Sequence, residues 1–336
     1  MWLIEKVKTK IKKEKITFKI ATEEWLGLKK RTVKQSTYSN YRYGINKYLL
    51  PQFEKFTIKA LENYDFNEFV DELNQDYSPK TVRDIITKLK SILYYIQDEY
   101  GANIKIKKII SPQLEQVPLA ILNKRETKKL EKHCLNENNL KSLGIVICLN
   151  IGLRIGELCA LKWKNIDLDK REIRVRKTLQ RIYDEKTGKT KVIIDTPKSK
   201  KSVRNIPISN KIYEALKNIK NGAKDEAFFL TGDINQYIEP RTYENIYKDI
   251  LEKTKISKKY NFHVLRHTFS TNCIEAGMDI KSLSELLGHS SVEITLNKYV
   301  HSSYKTKKKY LEKLWKSLSI RLKDFFFKKI ISIEYI

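Results

Sequence analysis

Along this chain the hydrophobic rhythm changes at residue 171, from helical spacing to a two-residue alternation that lasts to residue 208, and after Pro240 it returns to helical spacing. A period near 3.6 buries one stripe of a helix and a period of two buries one face of a strand. The chain must therefore build helices on both sides of a short β region. Before that region, SPKTVRDIITKLKSILYYIQDEY reads as a long helix with Ser78 as cap and Pro79 in its first turn. Val82, Ile85, Ile86, Leu89, Leu93 and Ile96 form its apolar stripe, and Lys80, Arg83, Lys88 and Lys90 fall largely off it, as a basic face. Upstream, Ser36 is placed to cap a tyrosine-rich helix that stops at Pro51. Within the β region, EIRVR alternates, KTGK is a turn, and KVIIDTP and SVRNIPI are further short strands. The expected fold is mainly α with one small antiparallel β-sheet.

The segment from Gly101 to Pro118 has no sustained helical pattern and reads as a connection between two units. The expected organisation is a basic lead-in over 1–15, a helical domain over 16–105, a linker over 106–120, a second domain over 121–304 and a basic tail over 305–336. In the second domain, Asn123 with Glu126 forms a capping box, and LKSLGIVICLNIG is a nearly apolar helix, closed by Gly152, that must be buried.

A formal charge of +27 at 336 residues, with a pI near 9.7, directs such a surface toward polyanions, nucleic acid before an anionic membrane. The basic residues are 54 lysines and 13 arginines, beside frequent Ile and Asn, as an A+T-rich genome would produce. An arginine is therefore the more informative cation in this chain. Cys134, Cys148, Cys159 and Cys273 form no C-x-x-C pair and sit mostly in apolar helical stretches, which implies buried free thiols in a reducing compartment. No secretory signal and no run of about 20 apolar residues is present. The expected location is cytoplasmic, at the nucleoid, with no membrane partner.

Four fragments carry candidate chemistry. In NFHVLRHTFST, His263 and His267 are four apart, as in a zinc protease helix. That motif needs a glutamate after the first histidine, but Val264 stands there and Arg266 brings a positive charge where a cation would bind. Two other readings remain: one core and one surface histidine, or His263 and Arg266 as donors to one anion. In IGLRIGELCALKWKNID, Arg154 follows the Gly152 stop and Glu157 lies one turn on, where it could hold the guanidinium; an ordinary salt bridge is the plain alternative. TPKSKKSVRNIP puts Lys198 in a turn between strands, and a lysine-rich turn is by itself usually only a solvated one. In LGHSSVEITLNKY, Gly288 ends a helix, His289 occupies the break, Ser290 with Glu293 caps the next helix, and Tyr299 follows ten residues after His289.

Taken in order, Arg154 in GLRxGEL, Lys198 in its turn, His263 and Arg266 in HxLRHT, His289 in LGHSS and Tyr299 before Val300-His301 resemble the tyrosine recombinase (phage integrase) family over roughly residues 16–304. The resemblance implies a helical core-binding domain and a mixed α/β catalytic domain that close as a C-shaped clamp around duplex DNA. It implies Tyr299 as nucleophile, Arg154 and Arg266 as donors to the attacked phosphate, Lys198 as general acid, His263 as general acid/base and His289 as a hydrogen-bond donor to the phosphate, with His267 packed inside. A phenol suits such chemistry because it must attack and later leave. Neither metal nor ATP nor any other cofactor is expected. Lys80, Arg83, Lys88, Lys200 and Lys201 are the candidate DNA contacts. The implied partners are double-stranded DNA with inverted half-sites, three further copies of the chain in a homotetramer on DNA (dimer or monomer otherwise) and a directionality factor. The implied activity is integration and excision of a mobile element. A type IB topoisomerase keeps the same nucleophile and arginine logic without strand exchange, and a non-catalytic DNA-binding protein is the alternative from another class. In the tail, Leu311, Leu314, Trp315 and Leu318 recur at helical spacing, which suits packing on its own domain, lying on a membrane, or docking into a neighbouring subunit; the last is the reading favoured here.

Overall fold

Thr17 accepts the Ile20 N–H and starts helix α1 (Phe18–Thr32). The computed structural model describes residues 15–115, 118–185, 187–197, 199–220 and 222–299, together with Lys308, Leu311, Glu312, Leu314, Trp315 and Leu318. Residues 1–14, Lys198 and most of the tail lie outside the described residues, as do the side chains of Lys200 and Tyr299.

Helix α2 (Gln35–Gly44) begins after Lys34, so Ser36 lies inside its first turn rather than at the cap. Nor does the helical path stop at Pro51. A π-helical turn over Ile45–Leu49, in which the Leu50 N–H reaches back to the Ile45 carbonyl, shifts the register, and α3 (Leu50–Phe53) takes Pro51 in its first turn. Pro51, which has no N–H, falls directly after the π turn, where the hydrogen-bond register is already shifted. After α4 (Ile58–Asn63) and α5 (Phe66–Asp76), Ser78 caps α6 (Pro79–Tyr100) through the Thr81 N–H. All six residues of its expected stripe are buried, against Phe18, Trp25, Phe53 and Phe69 among others. Each such aliphatic side chain contributes roughly 1.5–3 kcal/mol by leaving water. The same core continues past Gly101 through Ala102, Ile104, Ile106 and Ile109, and Lys90 donates to the Ile109 carbonyl at 2.8 Å. The first part of the segment expected to be a linker is therefore packed into the helical unit.

A second core surrounds α8 (Leu140–Ile151), in which Leu143 through Leu149 are all buried. Around it lie α7 (Lys124–Asn136), with the expected Asn123–Glu126 capping box, α9 (Ile155–Cys159), α10 (Asn210–Ile219), α11 (Pro240–Lys253) and α12 (His263–Glu275). The chain then forms α13 (Ile280–Leu287) and α14 (Val292–Tyr299). The cysteines are free thiols, with Cys134, Cys148 and Cys159 buried and Cys273 half-buried. Burial pushes the Cys134 thiol up to about 12 and Cys273 up to about 11, which keeps both unreactive.

The β region corrects one expectation, because the strands form two antiparallel sheets and not one. β1 (Ile166–Asp167), β2 (Glu172–Val175) and β5 (Arg204–Pro207) pair in the order β1-β2-β5, with Ile173 opposite Ile206. β3 (Thr178–Asp184) and β4 (Lys189–Asp195) form a separate hairpin. Alternation marks a strand but not its partner. The hairpin instead meets α2: Ser39 Oγ donates to the Tyr183 carbonyl at 2.7 Å and Arg42 Nε to Glu185 at 2.7 Å. Just before α2, Lys34 Nζ donates to the Thr196 carbonyl (2.9 Å), Thr196 Oγ1 (3.0 Å) and the Pro197 carbonyl (2.8 Å). The described tail residues are helical apart from their gaps, and Leu311, Leu314, Trp315 and Leu318 are exposed. Among the described residues, no helix is long and apolar enough to cross a membrane.

Candidate active site

Gly152 closes α8 in the left-handed region (φ 68°), and two residues later the chain enters α9 with Arg154 in its cap position. Gly156 lets that short helix sit on the hairpin, since a Cβ there would come within 2.5 Å of the Leu179 carbonyl. Glu157 accepts the Arg154 backbone N–H at 3.0 Å and its Nη1 at 2.7 Å, while Arg154 Nη2 donates to the Gly288 carbonyl at 3.3 Å. The expectation that Glu157 holds Arg154 is thus met.

Arg266 projects from the first turns of α12 and is buried at 2 % exposure. Its Nη1 donates to the Gly152 carbonyl and its Nη2 to the Leu287 carbonyl, each at 2.7 Å. The guanidinium therefore ties the Arg154 loop to the end of α13. There Gly288 takes a left-handed conformation (φ 63°), and His289 follows with its ring buried and Nδ1 2.8 Å from Thr295 Oγ1 on α14. His263 is exposed and His267 buried, with their rings edge-on at 5.3 Å. The packing of His267 inside agrees with the expectation, and one exposed ring beside one buried ring does not make a converging ligand pair. No group of three or more His, Cys, Asp or Glu is placed to hold a metal among the described residues.

Lys198 lies outside the described residues, but both its neighbours are placed. The Pro197 carbonyl accepts from Lys34, and Ser199 Oγ pairs with Ser202 Oγ at 2.9 Å. Pro197, Ser202, Arg154 and His263 line one cavity of about 450 Å³, together with Thr178 and Gln180 of β3. The Tyr299 backbone closes α14, and its side chain is outside the described ones. The remaining cationic candidates stand elsewhere. Lys80 and Arg83 are exposed on α6, Lys201 is exposed beside β5, and the Lys200 side chain is not described. Lys88 is half-buried, with its stem against Gly44, and burial lowers its pKa. It is less of a surface cation than its place off the α6 stripe suggests, because α2 crosses that side of the helix.

The residue that sequence reasoning missed is Arg204. It sits on β5 at 8 % exposure and donates to both Glu157 oxygens, at 3.1 and 3.0 Å, to the Leu286 carbonyl at 2.6 Å and to the Ser202 carbonyl at 3.0 Å. A signal was present: alternation puts Arg204 in phase with the buried Ile206 and Ile208, on the face that a strand keeps dry. Burial alone would raise the Glu157 carboxyl, but Arg204 and then Arg154 pull it down to about 2.

Known proteins carry the same architecture. The description "Phage integrase family" fits residues 120–306, and "Phage integrase, N-terminal SAM-like domain" fits residues 17–74. A protein named "Tyrosine recombinase XerC-like" from Caldanaerobacter subterraneus subsp. tengcongensis is 32% identical over 282 residues, 76% of this chain and 71% of that protein. The ICEBs1 integrase of Bacillus subtilis is 27% identical over 296 residues, 84% of this chain and 78% of that protein. Among solved structures, the Tn1549 transposon integrase in complex with transposon right end DNA superposes with a TM-score of 0.69 at 25% identity, covering 89% of this chain and 99% of that one. The chain belongs to the phage integrase family of tyrosine recombinases. It is accordingly an enzyme of DNA strand transfer, a site-specific recombinase, with the helical N-terminal and mixed catalytic domains of that family.

Proposed function

We propose that Tyr299 cuts and rejoins DNA at a phosphate held by Arg154, Arg266 and His289, and that the element so moved is a mobile one. The observation that carries this is the convergence of three segments on two adjacent carbonyls, those of Leu287 and Gly288. Arg266 donates to the first, Arg154 to the second, and His289 follows directly. Donors held by a rigid backbone need little reorganisation when charge develops on the non-bridging oxygens, which is where electrostatic catalysis gains most. The Tyr299 phenol oxygen bonds to phosphorus as its proton passes to His263. The phosphorus–O5′ bond breaks, and Lys198 protonates the departing oxygen. The 3′-phosphotyrosyl link keeps the bond energy for a second DNA end, so no ATP is used. The names of the Bacillus relative and of the Tn1549 integrase support integration and excision of a mobile element as the biological setting.

The working assembly in this reading is a homotetramer on DNA with inverted half-sites, acting in the cytoplasm at the nucleoid and joined by a directionality factor. The domain bounds proposed are 16–109 for the core-binding part, four residues beyond the 16–105 expected, because Ile106 and Ile109 pack into its core, and 121–304 for the catalytic part. Lys80, Arg83, Lys88, Lys200 and Lys201 contribute DNA contacts, and the tail after residue 304 docks into a neighbouring subunit. Four active sites used in pairs are what an exchange of two duplexes requires. Truncation after Ser303 should keep half-site binding and weaken tetramer assembly; tetrameric synapses at full-length affinity would assign the tail to its own subunit.

The decisive experiment is trapping on a nicked suicide substrate, read on a denaturing gel. Tyr299→Phe should give no covalent adduct with binding nearly intact. An adduct that persists in the variant would move the nucleophile to another residue. Lys198→Ala should regain cleavage on a substrate with sulfur at the 5′-bridging position, because a thiolate leaves without a proton. Regain for Lys201→Ala instead would move the general acid along the turn.

A further inference from the structure

Two guanidiniums share one carboxylate at the centre of the candidate site. Glu157, at 4 % exposure, pairs with Arg154 at 2.7 Å and with Arg204 at 3.0 Å. The two arginines are not alike: the Arg154 side chain is 32% exposed and lines the cavity, whereas that of Arg204 is 6% exposed and is not part of that lining. Two positive charges against one negative leave one positive charge over. Where it is felt depends on which arginine neutralises Glu157. Arg204 is the better partner, because it takes both carboxylate oxygens in a buried fork, and a fork–fork pair away from water is stronger than a single contact at a rim.

Arg204 also holds what Arg154 leans on. Among the described residues, the Arg154 side chain has two anchors, Glu157 and the Gly288 carbonyl. The first is clamped by Arg204. The second accepts from Ser202 Oγ at 3.0 Å and lies two residues after Leu286, and Arg204 holds both neighbours, the Leu286 carbonyl through Nε and the Ser202 carbonyl through Nη1. The approach is close enough that a Cβ on Gly288 would lie 3.0 Å from Arg204 Nη1.

We propose that Arg204 is a positioning residue for DNA cleavage: it neutralises Glu157 and fixes both anchors of Arg154, so that the positive charge of Arg154 is left for the DNA phosphate. This rests on the reading of Arg154 as a phosphate ligand. Without Arg204, the charged partner left to Glu157 among the described residues is Arg154, and the resulting neutral pair offers the phosphate a dipole instead of a charge.

The test is a suppressor. Single-turnover cleavage of a nicked half-site at saturating DNA should fall by about a hundredfold or more in Arg204→Met, since a donor to the developing charge is lost in effect. Adding Glu157→Gln should then raise the rate by roughly tenfold, because Arg154 regains its charge. A purely structural role would tie the rate to stability, since neutralising a buried carboxylate left without its partner also restores folding, so the rise must appear at a temperature where both variants are fully folded by thermal melting. A double variant as slow as Arg204→Met, or slower, overturns the proposal. If Arg204→Met does not fold, by thermal melting and half-site binding, Arg204→Lys decides. It keeps the charge that neutralises Glu157 but not the fork, so it should cleave more slowly than the wild type and clearly faster than Arg154→Ala. A folded Arg204→Lys that falls as far as Arg154→Ala overturns the proposal. Failure of the underlying reading has a separate signature: Arg154→Ala alone would then cleave at the wild-type rate.

Discussion

The cations of α6 and those around Gly288 do opposite things with the same charge. Lys80 and Arg83 stand exposed on a helix face, each able to rearrange with its surroundings. Arg204 and Arg266 are at 8 and 2 % exposure, and each donates to several fixed acceptors. An exposed cation supplies long-range attraction to DNA that salt screens and neighbours can replace. A buried, over-determined one supplies a field that is already in place when charge develops, and nothing else can replace it. Net charge thus points the chain toward DNA, and the few buried arginines mark the site proposed for the chemistry.

The strongest way to break this contrast is Arg266→Ala. Cleavage should fall by roughly a hundred- to a thousandfold at saturating DNA, while half-site affinity drops far less. Equal losses in both would make Arg266 an ordinary binding residue. Next comes pH. The Glu157 carboxyl is held at about 2 against an ordinary value of 4.5, so the stability it contributes is complete above pH 4.5 and is lost as pH falls toward 2. That difference corresponds to roughly 3 kcal/mol. Acid titration of the melting temperature should be flatter in Glu157→Gln over that window, and an unchanged slope would mean that other carboxylates dominate. A smaller effect is expected for Gly288→Ala, where the left-handed backbone and the Arg204 and Ser202 contacts both oppose a side chain. Chemical denaturation should show a loss of about 1–3 kcal/mol, and slower cleavage should accompany it. The smallest effect belongs to α6: Lys80→Ala or Arg83→Ala should weaken binding only a few-fold and reduce the salt slope by about 1, with the cleavage rate at saturation unchanged. A change in that rate would sharpen the comparison differently, by tying α6 to the catalytic centre.

Several elements were legible because their causes are local. The α6 stripe, the Ser78 and Asn123 caps and the left-handed Gly152 and Gly288 follow from side-chain spacing and from backbone preferences that neighbours in sequence decide. The path through Pro51 was misread because a π-helical turn changes hydrogen-bond register without leaving a strong residue signature. The hairpin was misassigned for a related reason. Its alternation is real, but whether β3 and β4 join β2 or turn toward α2 depends on Ser39, Arg42 and Lys34, which lie more than 140 residues away.

Alone, the sequence determined the class of partner, the order of the chemistry-bearing residues and the helices that carry them, because charge, motif order and periodicity are properties of the chain itself. Only the tertiary structure decided which cations are preorganised. Arg204 and Lys201 are three residues apart on the same basic stretch, yet one is buried in a fork with Glu157 and the other is exposed to water. The physical reason is that desolvation and hydrogen-bond partners come from segments distant in sequence, Glu157 and Leu286 for Arg204 and Gly152 and Leu287 for Arg266, and these meet only when α9, β5, α12 and α13 close on one another.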